Sequence, residues 1–186
     1  VVGGFHLATP VFVHRGLGPG KTLCLTAGIH GDEVNGVEVV RRVVARVRAD
    51  QMNGTLISVP IVNVSAVRRG SRYLPDRRDL NRYFPGHAHG SAASRIANRF
   101  FEGVVRHCEA LVDIHTGSFH RKNLHQLRAD LRRPQVLDLA RGLGSEIVVH
   151  NSGRRGTRRG AAVEAGVAAV TIEGGEPARL SIAEVE

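Results

Sequence analysis

Short apolar runs rich in β-formers alternate along this chain with segments whose apolar residues recur at helical spacing. Val11–Val13 reads as a strand, and Gly16, Gly18, Pro19 and Gly20 mark a turn after it. Thr22–Thr26 is a second strand, ending at Ala27-Gly28. From Glu33 to Arg48, Val34, Val37, Val40, Val43, Val44 and Val47 recur with a helical period, which outweighs the modest helix propensity of valine. Asn53-Gly54 is a turn, and Thr55–Val59 is a strand. Ser91–Val105 reads as a helix with Ile96, Phe100 and Val104 on one face. Strand Ala110–Ile114, helix Pro134–Leu143, strand Ile147–Val149, a short helix ending at Ala165 and strand Val167–Ile172 follow. Strands interleaved with helices in this way build a mixed, mostly parallel sheet with helices on both faces, so the expected fold class is α/β.

The 186 residues show no internal boundary, so residues 1–186 are expected to form a single domain. The tail Pro177–Glu186 reads as a connector to something outside the sequence. The apolar runs are too short and too interrupted for a transmembrane helix. No basic stretch followed by an apolar one opens the chain, so no secretory signal is read and a cytoplasmic location is expected. The first residue is Val1 and not Met, which is what a chain starting inside a longer gene product shows. Cys24 and Cys108 sit in apolar contexts and read as buried free thiols.

Charge narrows the partner. There are 26 Lys+Arg against 17 Asp+Glu, a net charge of +9, and all but Lys21 and Lys122 of the cations are arginine. Such a balance suits nucleic acid or small anionic substrates. The arginines are scattered, and aromatic residues make up only 4%, which leaves little for a base-stacking platform. Charge alone leaves both partners open, and most of these arginines read as a solvated surface. The cluster Arg154–Arg159 reads either as a mobile basic loop over a cleft or as a solvated face, the second being preferred.

In sheets of this kind functional groups gather beyond the carboxyl ends of the strands. Three such ends carry ligand-type side chains: Gly28–Glu33, Asp113–Gly117 and Thr171–Glu176. His30 and Glu33 are three apart at a helix start, a spacing that puts both on one side of the first turn. With a distant histidine such as His115 they make three ligands and one open position, the arrangement of a hydrolytic zinc. Each residue alone has a plainer reading. Glu33 favours the helix dipole, and His115 bonds to backbone. Residues 63–90 are rich in Arg, Gly, Pro and Asp without periodicity, and long loops of this sort are usually functional. Asp79 and Asn81 there also read as turn formers. Arg128 either lines a pocket or ends a strand, and His87 and His89 read as solvated.

Five motifs lie in order along residues 20 to 180: GIHGDE from Gly28, RYLPD from Arg72, DLNRYFPG from Asp79, DIHTG from Asp113 and TIEGGE from Thr171. Together they resemble the succinylglutamate desuccinylase/aspartoacylase family, a branch of the zinc-carboxypeptidase-like hydrolases. The resemblance implies one Zn2+ per chain, held by His30, Glu33 and His115, with Asp79 orienting the first histidine. It implies that Asn81 and Arg82 bind a substrate carboxylate, Arg72 polarises the scissile carbonyl, and Glu173 is the general base. The sequence stops about where the β-rich C-terminal domain usual in that family would begin, so a fragment or a minimal version with an unusually open pocket is expected. The implied reaction is zinc-dependent hydrolysis of the amide bond in a small, anionic N-acyl amino acid. The alternatives are a zinc carboxypeptidase or esterase with an open cleft and, outside the enzymes, a basic nucleic-acid-binding module. No membrane partner is expected, and a homo-oligomer is left open.

Overall fold

A computed structural model describes residues 7–186; residues 1–6, Val1 among them, lie outside the described part. In chain order the elements are β1 (Phe12–Arg15), β2 (Gly18–Thr26), α1 (Val34–Arg46), β3 (Asn53–Val59) and α2 (Val64–Val67). There follow α3 (Ala92–Gly103), β4 (Ala110–His115), β5 (Asn123–Ala129), α4 (Pro134–Gly142) and β6 (Val148–His150). The chain closes with α5 (Arg158–Glu164), β7 (Ala168–Gly175) and α6 (Ile182–Val185). Seven strands form one sheet in the order β1-β3-β2-β4-β7-β5-β6. The neighbours β2/β3, β2/β4, β4/β7 and β5/β6 run parallel, and β1/β3 and β5/β7 antiparallel. The fold is therefore α/β with a mixed, mostly parallel sheet. No helix among the described residues is long and apolar enough to cross a membrane.

The central strands are the most apolar and the most deeply buried. Leu111 and Val112 of β4 lie beside Ala169 and Val170 of β7 in the main core. A strand covered on both faces reads as a continuous apolar run, which is how both were recognisable. Helix α3 begins at an N-cap, Ser91, whose hydroxyl accepts from the Ser94 amide at 3.3 Å. Its buried stripe is Ala93, Ala97, Phe100 and Phe101, and Ile96, assigned to that stripe from spacing, is exposed. Alanines let the helix approach closely, so the stripe runs through small residues that a search for large ones passes over.

Four further departures have physical causes. Gly18–Gly20 belong to β2 and not to a turn. A Cβ at Gly20 would stand 2.8 Å from Gly54 N, so glycine there lets β2 run against the start of β3. Strand β5 was not apparent, because Asn123, Gln126 and Arg128 face a cleft and break the apolar pattern. The tail carries a short helix, α6, rather than a bare connector.

Cys24 and Cys108 form a disulfide and are not free thiols. Pairing of β2 with β4 sets Cys24 opposite Leu111, and Cys108 leads into the same strand. Their Cα atoms end 5.7 Å apart, within bonding range, although 84 residues separate them in sequence. Closing so long a loop constrains the unfolded chain by about 2–4 kcal/mol. Reduction with a dithiol is expected to lower the unfolding free energy by that order in a denaturant titration. An unchanged midpoint would contradict it.

Candidate metal centre and cleft

Strand β2 delivers the first site residues. After Thr26 the chain turns at Gly28, whose φ of +63° is in the left-handed region that glycine adopts freely. A Cβ on Gly31 would fall 2.0 Å from the Ala66 carbonyl carbon, so the loop is pressed onto α2. Between the two glycines His30 points into the interior, and Glu33 follows at the N-cap of α1. The Glu33 carboxylate makes no cap hydrogen bond and turns instead to the histidines. Strand β4 ends with His115, which stands in register with Glu173 on β7.

His30, Glu33 and His115 are all buried, and one donor atom from each lies within 4.8 Å of the others. Glu33 sits between the rings. Its Oε1 is 2.7 Å from His30 Nδ1, and its Oε2 is 2.9 Å from His115 Nδ1. That Oε2 lies close to the ring but makes no well-directed hydrogen bond. Each ring has a carboxylate on its far side: Asp79 Oδ1 lies 3.0 Å from His30 Nε2, and Asp113 Oδ2 lies 2.8 Å from His115 Nε2.

Charge explains what this cluster wants. Burial pushes the Glu33 carboxyl up, but the facing His115 and His30 rings outweigh it and bring it to about 2. Asp113 is likewise opposed by burial and held well below the carboxylate range by Arg158 and His115. Burial lowers the affinity of His115 for a proton, yet Asp113 and Glu33 raise it well above the ordinary histidine value. Three carboxylates thus surround two imidazoles and favour positive charge at the centre. Two imidazole nitrogens and a carboxylate oxygen, one oxygen without a directed partner, form a donor set that fits a divalent cation such as zinc.

The cluster opens into a cavity of about 530 Å³. Of the residues singled out from the sequence, His30, Glu33, Arg72, Asn81, Arg82, His115, Arg128 and Glu173 all line it. Asp79 is set behind His30 and also caps the turn at Leu80–Arg82, accepting from Asn81 N at 2.9 Å. Arg72 lies beside the cluster. Its Nη1 is 2.9 Å from Ser118 Oγ and 3.2 Å from Glu33 Oε1, and its Nη2 is 3.1 Å from Asp79 Oδ2. Glu173 accepts from Asn123 Nδ2 at 2.8 Å through Oε2, and Arg128 Nη1 lies 3.2 Å from Oε1. Arg82 presents a half-exposed side chain and donates to the Asn81 carbonyl at 2.8 Å. His87 and His89 are exposed.

Two groups were not found from sequence. Asp113 backs His115, and the spacing Asp113-x-His115 on a strand, which turns both to one face, was the available signal. The cluster Arg154–Arg159 is a solvated face only in its first half: Arg154 and Arg155 are exposed, and Arg158 and Arg159 turn inward. Arg158 is wholly buried against Asp113, Arg159 is nearly so, and Arg154 and Arg159 line the cavity. Helix α5 starts at Arg158 behind its N-cap, Thr157, and this carries the two arginines inward.

The model of the Succinylglutamate desuccinylase/Aspartoacylase catalytic domain matches residues 19–185. Among curated relatives, the N-alpha-acetyl-L-2,4-diaminobutyric acid deacetylase of Halomonas elongata is 40% identical over 106 residues, covering 56% of this chain and 30% of that protein. A succinylglutamate desuccinylase of Pseudomonas aeruginosa is 36% identical over 111 residues, covering 52% and 31%. The chain thus matches under a third of the length of these relatives. Among solved structures, a succinylglutamate desuccinylase/aspartoacylase from Rhodobacter sphaeroides superposes with a TM-score of 0.85 at 27% identity, covering 95% of this chain and 54% of that one. The product-bound ectoine utilization protein of Ruegeria pomeroyi gives 0.85 at 29% identity, covering 95% and 56%.

Proposed function

The chain belongs to the succinylglutamate desuccinylase/aspartoacylase family, and from that premise we propose that it is a zinc-dependent hydrolase cleaving the amide bond of a small, anionic N-acyl amino acid. The observation that carries this is the buried His30–Glu33–His115 cluster, open to an arginine-lined cavity and flanked by Glu173.

His30, Glu33 and His115 would hold one Zn2+ per chain, with Asp79 and Asp113 orienting the rings. Bound there, the ion would supply a Lewis acid for the carbonyl and a water made acidic near neutrality. Glu173 takes the water proton and passes it to the leaving amine. Asn123 and Arg128 hold its carboxylate in place meanwhile. Arg72 faces the negative charge that develops on the carbonyl oxygen. Asn81 and Arg82 receive the substrate carboxylate, for which a guanidinium fork is the fitting partner. The net charge of +9 favours an anion in the same cavity. A single catalytic unit over residues 1–186 is part of the same proposal.

Arg82→Ala tests the substrate end. It is expected to raise KM about tenfold or more for a substrate with a free carboxylate, the scale of a hydrogen bond to a charged group. The neutral amide analogue should be barely affected. Equal effects on both would remove Arg82 from the substrate contact. Zinc content of the purified protein separates the enzyme from a basic nucleic-acid-binding module: near-stoichiometric metal supports the hydrolase, and none, with salt-dependent DNA binding, supports the module.

A further inference from the structure

Arg158 is wholly buried, and its guanidinium forks onto the Asp113 carboxylate. Nη2 donates to Oδ1, and Nε donates to Oδ2 at 3.2 Å. Thr26 Oγ1 also donates to Oδ1 at 3.1 Å, while Oδ2 faces His115 Nε2 at 2.8 Å. Both carboxylate oxygens are therefore held from two sides, which leaves the group one orientation. The backbone of Arg158 reaches across the cleft as well: its N–H donates to Asn81 Oδ1 at 2.8 Å.

A buried ion pair is costly to desolvate, and an apolar pair of similar volume often serves stability as well or better. Stability is therefore a weak reason for a full charge pair at this point in the core. Orientation is a stronger one. We propose that Arg158 is a positioning residue: it locks Asp113 and, through Asp113, sets the His115 ring with Nδ1 turned toward Glu33 and the metal. This rests on the metal site formed by His30, Glu33 and His115. A carboxylate that holds the far nitrogen of a metal-binding histidine fixes its tautomer and its plane, and such outer partners are worth about 10–100-fold in metal affinity. Lysine keeps the charge but cannot make a two-point fork.

The test measures zinc affinity of the metal-free protein by competition with a chelator. Wild type, Arg158→Lys, Asp113→Asn and the double variant are compared. Arg158→Lys is expected to weaken zinc about tenfold or more in the wild-type background and to have no further effect once Asp113 is Asn. Arg155→Met, at an exposed position outside the cavity lining, is expected to leave affinity unchanged. Thermal unfolding of the metal-free proteins reports folding. If Arg158→Lys does not fold, Arg158→Met combined with Asp113→Asn removes both buried charges and takes its place. It should then bind zinc as Asp113→Asn alone does, and weaker binding would overturn the proposal. Unchanged affinity in Arg158→Lys, or the same loss in both backgrounds, would also overturn it. A wild type that takes up no zinc would instead remove the metal site itself, and the role of Arg158 with it.

Discussion

Glu173→Gln is expected to keep its zinc and its fold while kcat falls on the order of 10²-fold or more, the scale of losing a general base. Glutamine matches glutamate in size and still accepts from Asn123, but it cannot take the water proton. Glu173 follows the apolar residues Ala168–Ile172 within β7, lies in register with His115, and is absent from the group that can hold a metal. Its proposed task is therefore proton transfer and not ligation. Zinc content, circular dichroism and single-turnover rates on one preparation check this. Near wild-type turnover would end the assignment. Loss of zinc together with rate would make Glu173 a ligand and reopen the place of Glu33.

The second large effect is expected at His115. His115→Ala should lose zinc on dialysis, because two donors remain of three. It should also cost the metal-free protein about 1–3 kcal/mol, the scale of leaving buried acceptors short of a donor, because Arg158 still pairs Asp113 and His30 and Arg72 still face Glu33. The ring stands between Glu33 Oε2 at 2.9 Å and Asp113 Oδ2 at 2.8 Å, and its removal leaves two buried carboxylates facing an empty space. His30→Ala should lose zinc in the same way, by removing the donor from the β2 loop. Full zinc occupancy in either variant, read by elemental analysis, would show that the histidine is not a ligand.

The parts of this molecule that were legible in the sequence are those whose cause is local. The central strands β4 and β7 are apolar runs because they are buried on both faces. His30 and Glu33 stand out because a glycine-flanked loop feeds directly into a valine-periodic helix. Strand β5 was illegible because its residues answer to the cleft: Asn123 and Arg128 are polar in order to meet Glu173, and the alternation is lost. Arg158 was misread for a related reason. An arginine cluster looks like a solvated face until its partner is known, and Asp113 lies 45 residues away in sequence. The disulfide has no local signature at all, since only the pairing of β2 with β4 brings its halves together.

Loaded with zinc, the His30–Glu33–His115 cluster should hydrolyse N-acyl amino acids. Metal-free and zinc-loaded protein should be assayed against acetyl and succinyl amino acids, with peptides and simple esters as controls. The account predicts release of free amino acid from at least one N-acyl substrate by the zinc-loaded form, its loss on chelation, and its return when zinc is added back. Turnover confined to peptides or esters, or turnover that survives complete removal of the metal, would contradict it.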